Sequence, residues 1–143
     1  MLKGISPLLS PRLLATLCRM GHGEEIVLAD AHFPGTLAGP LVLRADGVAI
    51  APLLAGILPL FELDAYVDDP LVMMKPVAGD TVDEAVARDY RRVVDEAAPG
   101  SPAFVEIERD AFYERARRAA CVLVTGETRK YGNLILKKGV TPI

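Results

Sequence analysis

Cysteine is scarce in this chain. Cys18 and Cys121 are the only two, each inside an apolar segment and without metal-type spacing. They read as small buried hydrophobes of a reduced compartment, not as a disulfide framework. Positive charge is not in excess either. Sixteen Lys and Arg against 19 Asp and Glu leave a net charge of −3, with the basic residues spread along the chain. That excludes the basic face that nucleic-acid binding requires.

Long hydrophobic runs are also missing. The longest, Ala49 to Phe61, is broken by Pro52 and Pro59 and stops at Glu62, whereas a membrane span takes about 20 apolar residues. The opening Met1-Leu2-Lys3-Gly4-Ile5-Ser6-Pro7 has no continuous apolar core of signal-peptide length. The expectation is a cytoplasmic protein with no membrane partner. There are no repeats, linkers or low-complexity tracts, so residues 1–143 read as one domain. Among motifs, GxGxxG, GxxxxGK[ST] and GxSxG are all absent; nothing calls for a nucleotide cofactor or a serine nucleophile.

What is present is an α/β pattern. Ser10-Pro11 starts a helix, Leu13, Leu14, Leu17 and Met20 follow at helical spacing, and Gly21 stops it. Ile26–Ala29 and Leu41–Arg44 read as strands, and Pro52 opens a compact apolar helix to about Leu60. Leu71–Val77 is a strand that Pro76 ends. Thr81 with Glu84 predicts a capping box ahead of a helix to about Ala97. Phe104–Glu108 alternates as a half-exposed strand, and Asp110 is placed to cap the next helix. Cys121–Val124 and Leu134–Leu136 are the last strands. The sum predicts a single layered α/β domain with a mixed sheet flanked by helices. At 51% hydrophobic the chain is oily for a small monomer, which points to subunit interfaces covering apolar surface.

Polar groups concentrate near strand ends. His22 lies between Gly21 and Gly23, and Asp30 falls where the run Ile26–Ala29 stops. A histidine near a carboxylate is equipment for moving protons on a small polar substrate. His32, Arg109 at the end of its strand, and Tyr131-Gly132-Asn133 ahead of the last strand complete the set. An acid–base group, a carboxylate, a guanidinium, a phenol and an amide together suit a polyhydroxylated ligand.

Each assignment has a plainer rival. His22 could serve the dipole of the helix before it, Asp30 could be a turn residue, and His32 could be structural beside Phe33-Pro34. Tyr131-Gly132-Asn133 could be a hairpin turn. Arg109 could pair with Glu106, Glu108 or Asp110 on the surface. Arg115, Arg117 and Arg118 read as a solvated or intersubunit helix face. A metal site from His22, Asp30 and His32 is disfavoured because no cysteine or third histidine completes it.

In order along the chain, several segments resemble the fucose mutarotase and ribose pyranase family of sugar-anomer isomerases. They are Met20-Gly21-His22-Gly23, Ala29-Asp30-Ala31-His32-Phe33-Pro34 and Pro59-Leu60-Phe61-Glu62-Leu63-Asp64, then Ala111-Phe112-Tyr113-Glu114-Arg115-Ala116, Thr125-Gly126-Glu127 and Tyr131-Gly132-Asn133. The His32-Phe33 turn, the aromatic helix start and Tyr131-Gly132-Asn133 are similar to the fucose branch. The resemblance implies a cofactor-independent isomerase that interconverts the anomers of L-fucose, with His22 as general acid. It implies that Asp30, Arg109, Tyr131, Gly132 and Asn133 contact the sugar, Gly132 through backbone only. It also implies a ring-like homo-oligomer with sites near subunit contacts, in which His22 and Tyr131 meet from different subunits. One departure stands out: Asp110 follows Arg109 where the fucose-type pattern has an apolar residue, and an acid there would draw on the arginine's charge. The rivals are a ribose pyranase and a sugar-binding module without turnover.

Overall fold

The structure, a computed structural model, describes residues 1–143. Its elements run α1 (Pro11–Arg19), β1 (Glu25–Ala29), β2 (Leu41–Ala45), α2 (Ile50–Ile57) continued by a 3₁₀ turn (Leu58–Leu60), β3 (Leu71–Met74), α3 (Ala85–Ala97), β4 (Val105–Ile107), α4 (Arg109–Arg117), β5 (Cys121–Thr125) and β6 (Leu134–Lys137). The six strands form one sheet in the order β2-β5-β1-β6-β3-β4. β6 runs against both of its neighbours while the remaining pairings are parallel. This is the mixed sheet flanked by helices that the sequence predicts.

Side chains alternate across the sheet as the two-residue period of a strand requires. Ile26, Leu28, Cys121, Leu123, Leu134 and Leu136 join the larger core, which α1, α2 and α3 cover. Val27, Ala29, Val122, Val124 and Ile135 join a smaller core under Phe33 and the Phe112–Ala116 face of α4. Both faces are dry, which is why the central strands read as continuous apolar runs. Each fully buried Leu or Ile side chain contributes about 1.5–3 kcal/mol of transfer free energy.

The helix signals hold unevenly. Ser10 caps α1, its hydroxyl accepting the Leu13 N–H at 3.2 Å. α2 begins at Ile50, two residues ahead of Pro52; proline is tolerated there because first-turn amides have no intrahelical partner. The Thr81–Glu84 box does not form. Asp83 accepts the Ala85 N–H instead, at 2.9 Å, and α3 starts after it. Glu108, not Asp110, occupies the cap position of α4, so Arg109 opens a helix and does not end a strand. Cys121 is buried but Cys18 is exposed, on the outer side of α1. No helix is long and apolar enough to cross a membrane.

One topological fact positions the site. β5 and β6 flank β1 on opposite sides, so residues 126–133 cross over the carboxyl end of β1. Tyr131-Gly132-Asn133 therefore belongs to a crossover that covers Asp30, not to a hairpin. The crossover is tied down by the Ala31 N–H on the Glu127 carbonyl at 2.7 Å and by the Thr125 hydroxyl on the Ala29 carbonyl at 2.8 Å.

Candidate active site

A cavity of about 230 Å³ opens at the carboxyl ends of β1 and β3, beside the start of α4 and the crossover that leads into β6. Ligands bind at this end of open α/β sheets. Asp30, Arg109, Tyr131 and Asn133 all line the cavity, as their positions in the sequence predict, and His32, Phe33, Met74, Tyr113 and Lys130 complete it.

Asp30 is buried at 4% exposure. Its carboxylate accepts the His32 N–H at 3.0 Å and the Asn133 side-chain amide at 3.0 Å. The Asn133 oxygen accepts the Asp30 N–H at 2.8 Å, which fixes the amide's orientation. Burial pushes the Asp30 carboxyl above the ordinary carboxylate range, against the lowering effect of the His32 amide, the His32 charge and Asn133.

Tyr131 is the only non-glycine residue with positive φ, at 59°. Such a backbone costs of order 1–3 kcal/mol and persists where its surroundings hold it. Here the Tyr131 hydroxyl donates to Asp80 at 2.7 Å. Gly132, next in the chain, packs where a Cβ would meet the Glu127 Cγ at 2.9 Å and the Arg129 carbonyl at 3.0 Å. Beneath it, the buried Tyr90 hydroxyl donates to the Gly132 carbonyl at 2.8 Å. Gly132 thus acts through backbone, and its amide also helps hold the Asp30 carboxylate. Glu127 is kept ionised below its usual range, chiefly by Arg129, which bridges it to Asp89 at 2.7 Å. Asp80 raises the phenol of Tyr131, so this side chain donates hydrogen bonds and is no base near neutrality.

Arg109 forms no salt bridge. Its neighbour Glu108 is engaged by Lys75 at 2.8 Å, and the guanidinium lies 5.5 Å from the centre of the Tyr113 ring. The surface ion-pair alternative is therefore not realised. Nor does Asp110 govern the charge: the arginine is held protonated first by Tyr113 and only to a lesser degree by Asp110. Tyr113 sits four residues after Arg109 on α4, the spacing that brings side chains together on a helix. That signal was available in the sequence, whereas Met74 and Lys130 reach the cavity only through strand order and the crossover.

His22 is elsewhere. It precedes β1, at the opposite end of that strand from Asp30, and five residues at about 3.3 Å each separate the two by roughly 15 Å or more. Its partner is Asp64, with Nε2 to Oδ1 at 3.1 Å, and the Tyr66 ring lies 5.4 Å from the imidazole. The reading of His22 as held close to Asp30 is thus corrected for this chain. A metal site from His22, Asp30 and His32 is likewise not assembled, and no group of three or more His, Cys, Asp or Glu side chains gathers to hold an ion. His32 does face the cavity, its Nε2 resting 3.1 Å from the Thr128 carbonyl. Arg115 is not a solvated residue: its side chain is 17% exposed and engages Glu25 and Asp69.

A half-enclosed pocket of monosaccharide scale, lined by a carboxylate pair-bonded to an amide, a free guanidinium and two phenols, defines a small-molecule α/β domain suited to hydroxylated ligands. The chain belongs to the RbsD / FucU transport protein family, whose model matches residues 3–141. It is 53% identical over 143 residues to the L-fucose mutarotase of Histophilus somni (strain 2336), covering 100% of this chain and 99% of that protein. Its structure is similar to the fucose mutarotase of Streptococcus pneumoniae, solved in complex with L-fucose. There the TM-score is 0.93 and the identity 42%, over 99% of this chain and 100% of that one. Bacillus subtilis RbsD, solved with D-ribose, shares the fold at 22% identity and a TM-score of 0.78, over 99% of this chain and 100% of that one.

Proposed function

We propose that this chain is an isomerase that interconverts the α and β anomers of free L-fucose. The observation that carries the reading is the grouping of Asp30, Arg109, Tyr131 and Asn133 around one sugar-sized cavity, in a chain 53% identical to an L-fucose mutarotase along its whole length. A ribose pyranase is the weaker reading, because the likeness to RbsD is one of fold.

The reaction is ring opening followed by reclosure. A general acid protonates the ring oxygen, the bond from that oxygen to the anomeric carbon breaks, and the anomeric hydroxyl loses its proton to a base as the aldehyde forms. Rotation about the bond to the former anomeric carbon and addition from the other face return both protons. No redox change takes place and no covalent intermediate forms, so the proposed reaction needs no cofactor. One well-placed acid–base group supplies about 10²–10⁴-fold.

His22 is the proposed acid. Asp30 and Asn133 present acceptor and donor atoms to adjacent sugar hydroxyls, Arg109 and Tyr131 donate to others, and Gly132 holds the turn. Because His22 stands at the far end of β1 from the cavity, the acid reaches the sugar from a second copy of the chain. This supports a ring-like homo-oligomer with sites at subunit contacts. A cytoplasmic location fits an enzyme whose substrate is a free sugar and whose two cysteines are unpaired.

The test is NMR exchange between the anomers of L-fucose, with D-ribose in parallel and His22→Ala as the control. Exchange of fucose that disappears in the variant supports the reading. Acceleration of ribose alone moves the chain to the pyranase activity. Binding without acceleration of either sugar leaves a sugar-binding module.

A further inference from the structure

We infer that Asp64 is the positioning residue of the proton donor: its carboxylate fixes the His22 ring with Nε2 protonated, leaving Nδ1 as the nitrogen that exchanges protons with the sugar. The inference rests on the proposed role of His22, from which Asp64 is 42 residues distant in the chain.

The arrangement is built, not incidental. Both segments hang from the end of β6: the Gly23 N–H donates to the Lys138 carbonyl at 2.8 Å, and the Asp64 N–H to the Lys137 carbonyl at 3.1 Å. Gly139 packs beneath, where a Cβ would meet the Leu63 carbonyl oxygen at 2.6 Å and the Asp64 Cα at 2.8 Å. The Asp64 side chain is 3% exposed, whereas that of His22 is 46% exposed. A buried carboxylate is costly unless its oxygens are satisfied. Here Oδ1 takes two donors, the Tyr66 N–H at 3.0 Å and His22 Nε2 at 3.1 Å.

A carboxylate offers no hydrogen, so Nε2 has to carry one for the contact to exist. Hydrogen bonding at one ring nitrogen sets the tautomer and leaves the other for chemistry. The Tyr66 ring, tilted 50° to the imidazole, lies beside the histidine. The Asp64 carboxyl is held below the ordinary carboxylate range, first by the Tyr66 amide and then by His22, so the acceptor is ionised.

In the ring-opening step the imidazolium gives its Nδ1 proton to the ring oxygen. The bond from that oxygen to the anomeric carbon breaks, and the anomeric hydroxyl proton passes to the base. His22 is left neutral with its Nε2 proton still on Asp64, and reclosure returns the Nδ1 proton. Asp64 therefore touches no substrate atom, and its effect falls on turnover, not on sugar affinity.

The experiment compares Asp64→Asn and Asp64→Ala with the parent and with His22→Ala. It reads kcat and KM for L-fucose exchange and the ¹⁵N shifts of the His22 ring above pH 8. Asparagine keeps an oxygen for both N–H donors and removes the charge, so kcat is expected to fall about 10-fold with KM within about twofold, a part of the acid's full 10²–10⁴. Alanine removes the acceptor as well. Its kcat is expected to fall about 100-fold, and its ring to show mixed tautomers where the parent shows Nε2–H alone. Parent-level kcat in Asp64→Asn, beside an inactive His22→Ala, overturns the inference, as does an unchanged tautomer in Asp64→Ala. Full turnover in His22→Ala overturns the role of His22, while the ¹⁵N shifts still decide whether Asp64 sets the tautomer. Asp64→Asn decides alone if the alanine variant does not fold.

Discussion

Asp30 and Asn133 clasp each other across 103 residues of chain, backbone N–H to side-chain oxygen at 2.8 Å and side-chain amide to carboxylate at 3.0 Å. The clasp joins the end of β1 to the start of β6 and leaves Asn133 in a single orientation. Asn133→Ala removes both bonds and leaves buried groups of Asp30 unpaired, at a cost of about 1–3 kcal/mol. The sign of its pH dependence follows from Asp30. Burial already raises that carboxyl, and losing a donor raises it further. A carboxyl raised in the folded state favours folding at low pH and loses that contribution as pH rises through the folded value. Urea melts are expected to show a larger deficit for Asn133→Ala at pH 7 than at pH 4, together with weaker binding of fucose.

Gly132 tests whether the crossover tolerates any side chain. A methyl group there enters space held by Glu127, the Arg129 carbonyl and the Tyr90 hydroxyl, all within 3.1 Å. Two of these are anchored, the carbonyl by backbone and the phenol by its burial, so Gly132→Ala is expected to cost about 1–3 kcal/mol through forced displacement. Calorimetry reads that cost. The displacement also moves Tyr131 and Asn133, so KM for L-fucose is expected to rise more than kcat falls.

Most of the fold was legible because it rests on local pattern. Six apolar runs and four helical periodicities are enough to name every strand and helix, and Ser10 signals its cap directly. The caps of α3 and α4 were misread because a Thr or Asp near a helix start competes with neighbours such as Asp83, and one residue of register decides the winner. The site was legible where chemistry sits on strand ends. Asp30 and Arg109 meet because the parallel strands β1, β3 and β4 bring their carboxyl ends to one side, and Tyr131 and Asn133 join them because antiparallel β6 begins there. The partner of His22 was not legible. His22 precedes the Ile26–Ala29 strand and Asp30 follows it, so that strand already sets the two apart, whereas Asp64, 42 residues on, reaches His22 only because both segments hang from the end of β6.

Asp80 offers a pH test with the opposite sign. Lys130 first, then Tyr131, hold its carboxyl down to about 2 from an ordinary 3.8. A carboxyl lowered in the folded state contributes stability that is whole above the unfolded value and is lost as pH falls through the folded one. The stability gap between the parent and Asp80→Asn is therefore expected to be constant above about pH 4 and to close toward pH 2. A gap that stays open through that window would show that the contacts to Lys130 and Tyr131 are not formed in solution. Asparagine leaves one oxygen for the two donors, Lys130 and Tyr131, so the Tyr131 hydroxyl is held less firmly and weaker fucose binding at neutral pH should accompany the variant.

The separation of His22 from its cavity makes complementation the decisive measurement on assembly. His22→Ala and Asp30→Ala are each expected to be inactive, the first lacking the acid and the second lacking a sugar contact. If the acid and the cavity of each site come from different copies, mixing the two variants and refolding them together rebuilds intact sites. With random assortment in a ring, about a quarter of the sites draw an intact His22 from one copy and an intact cavity from its neighbour, so roughly a quarter of parental activity should return. A protein that works as a monomer, or whose sites lie within one copy, recovers nothing, because every chain in the mixture carries a defect. Sedimentation of the mixture, run beside the exchange assay, separates failure to assemble from assembly without shared sites.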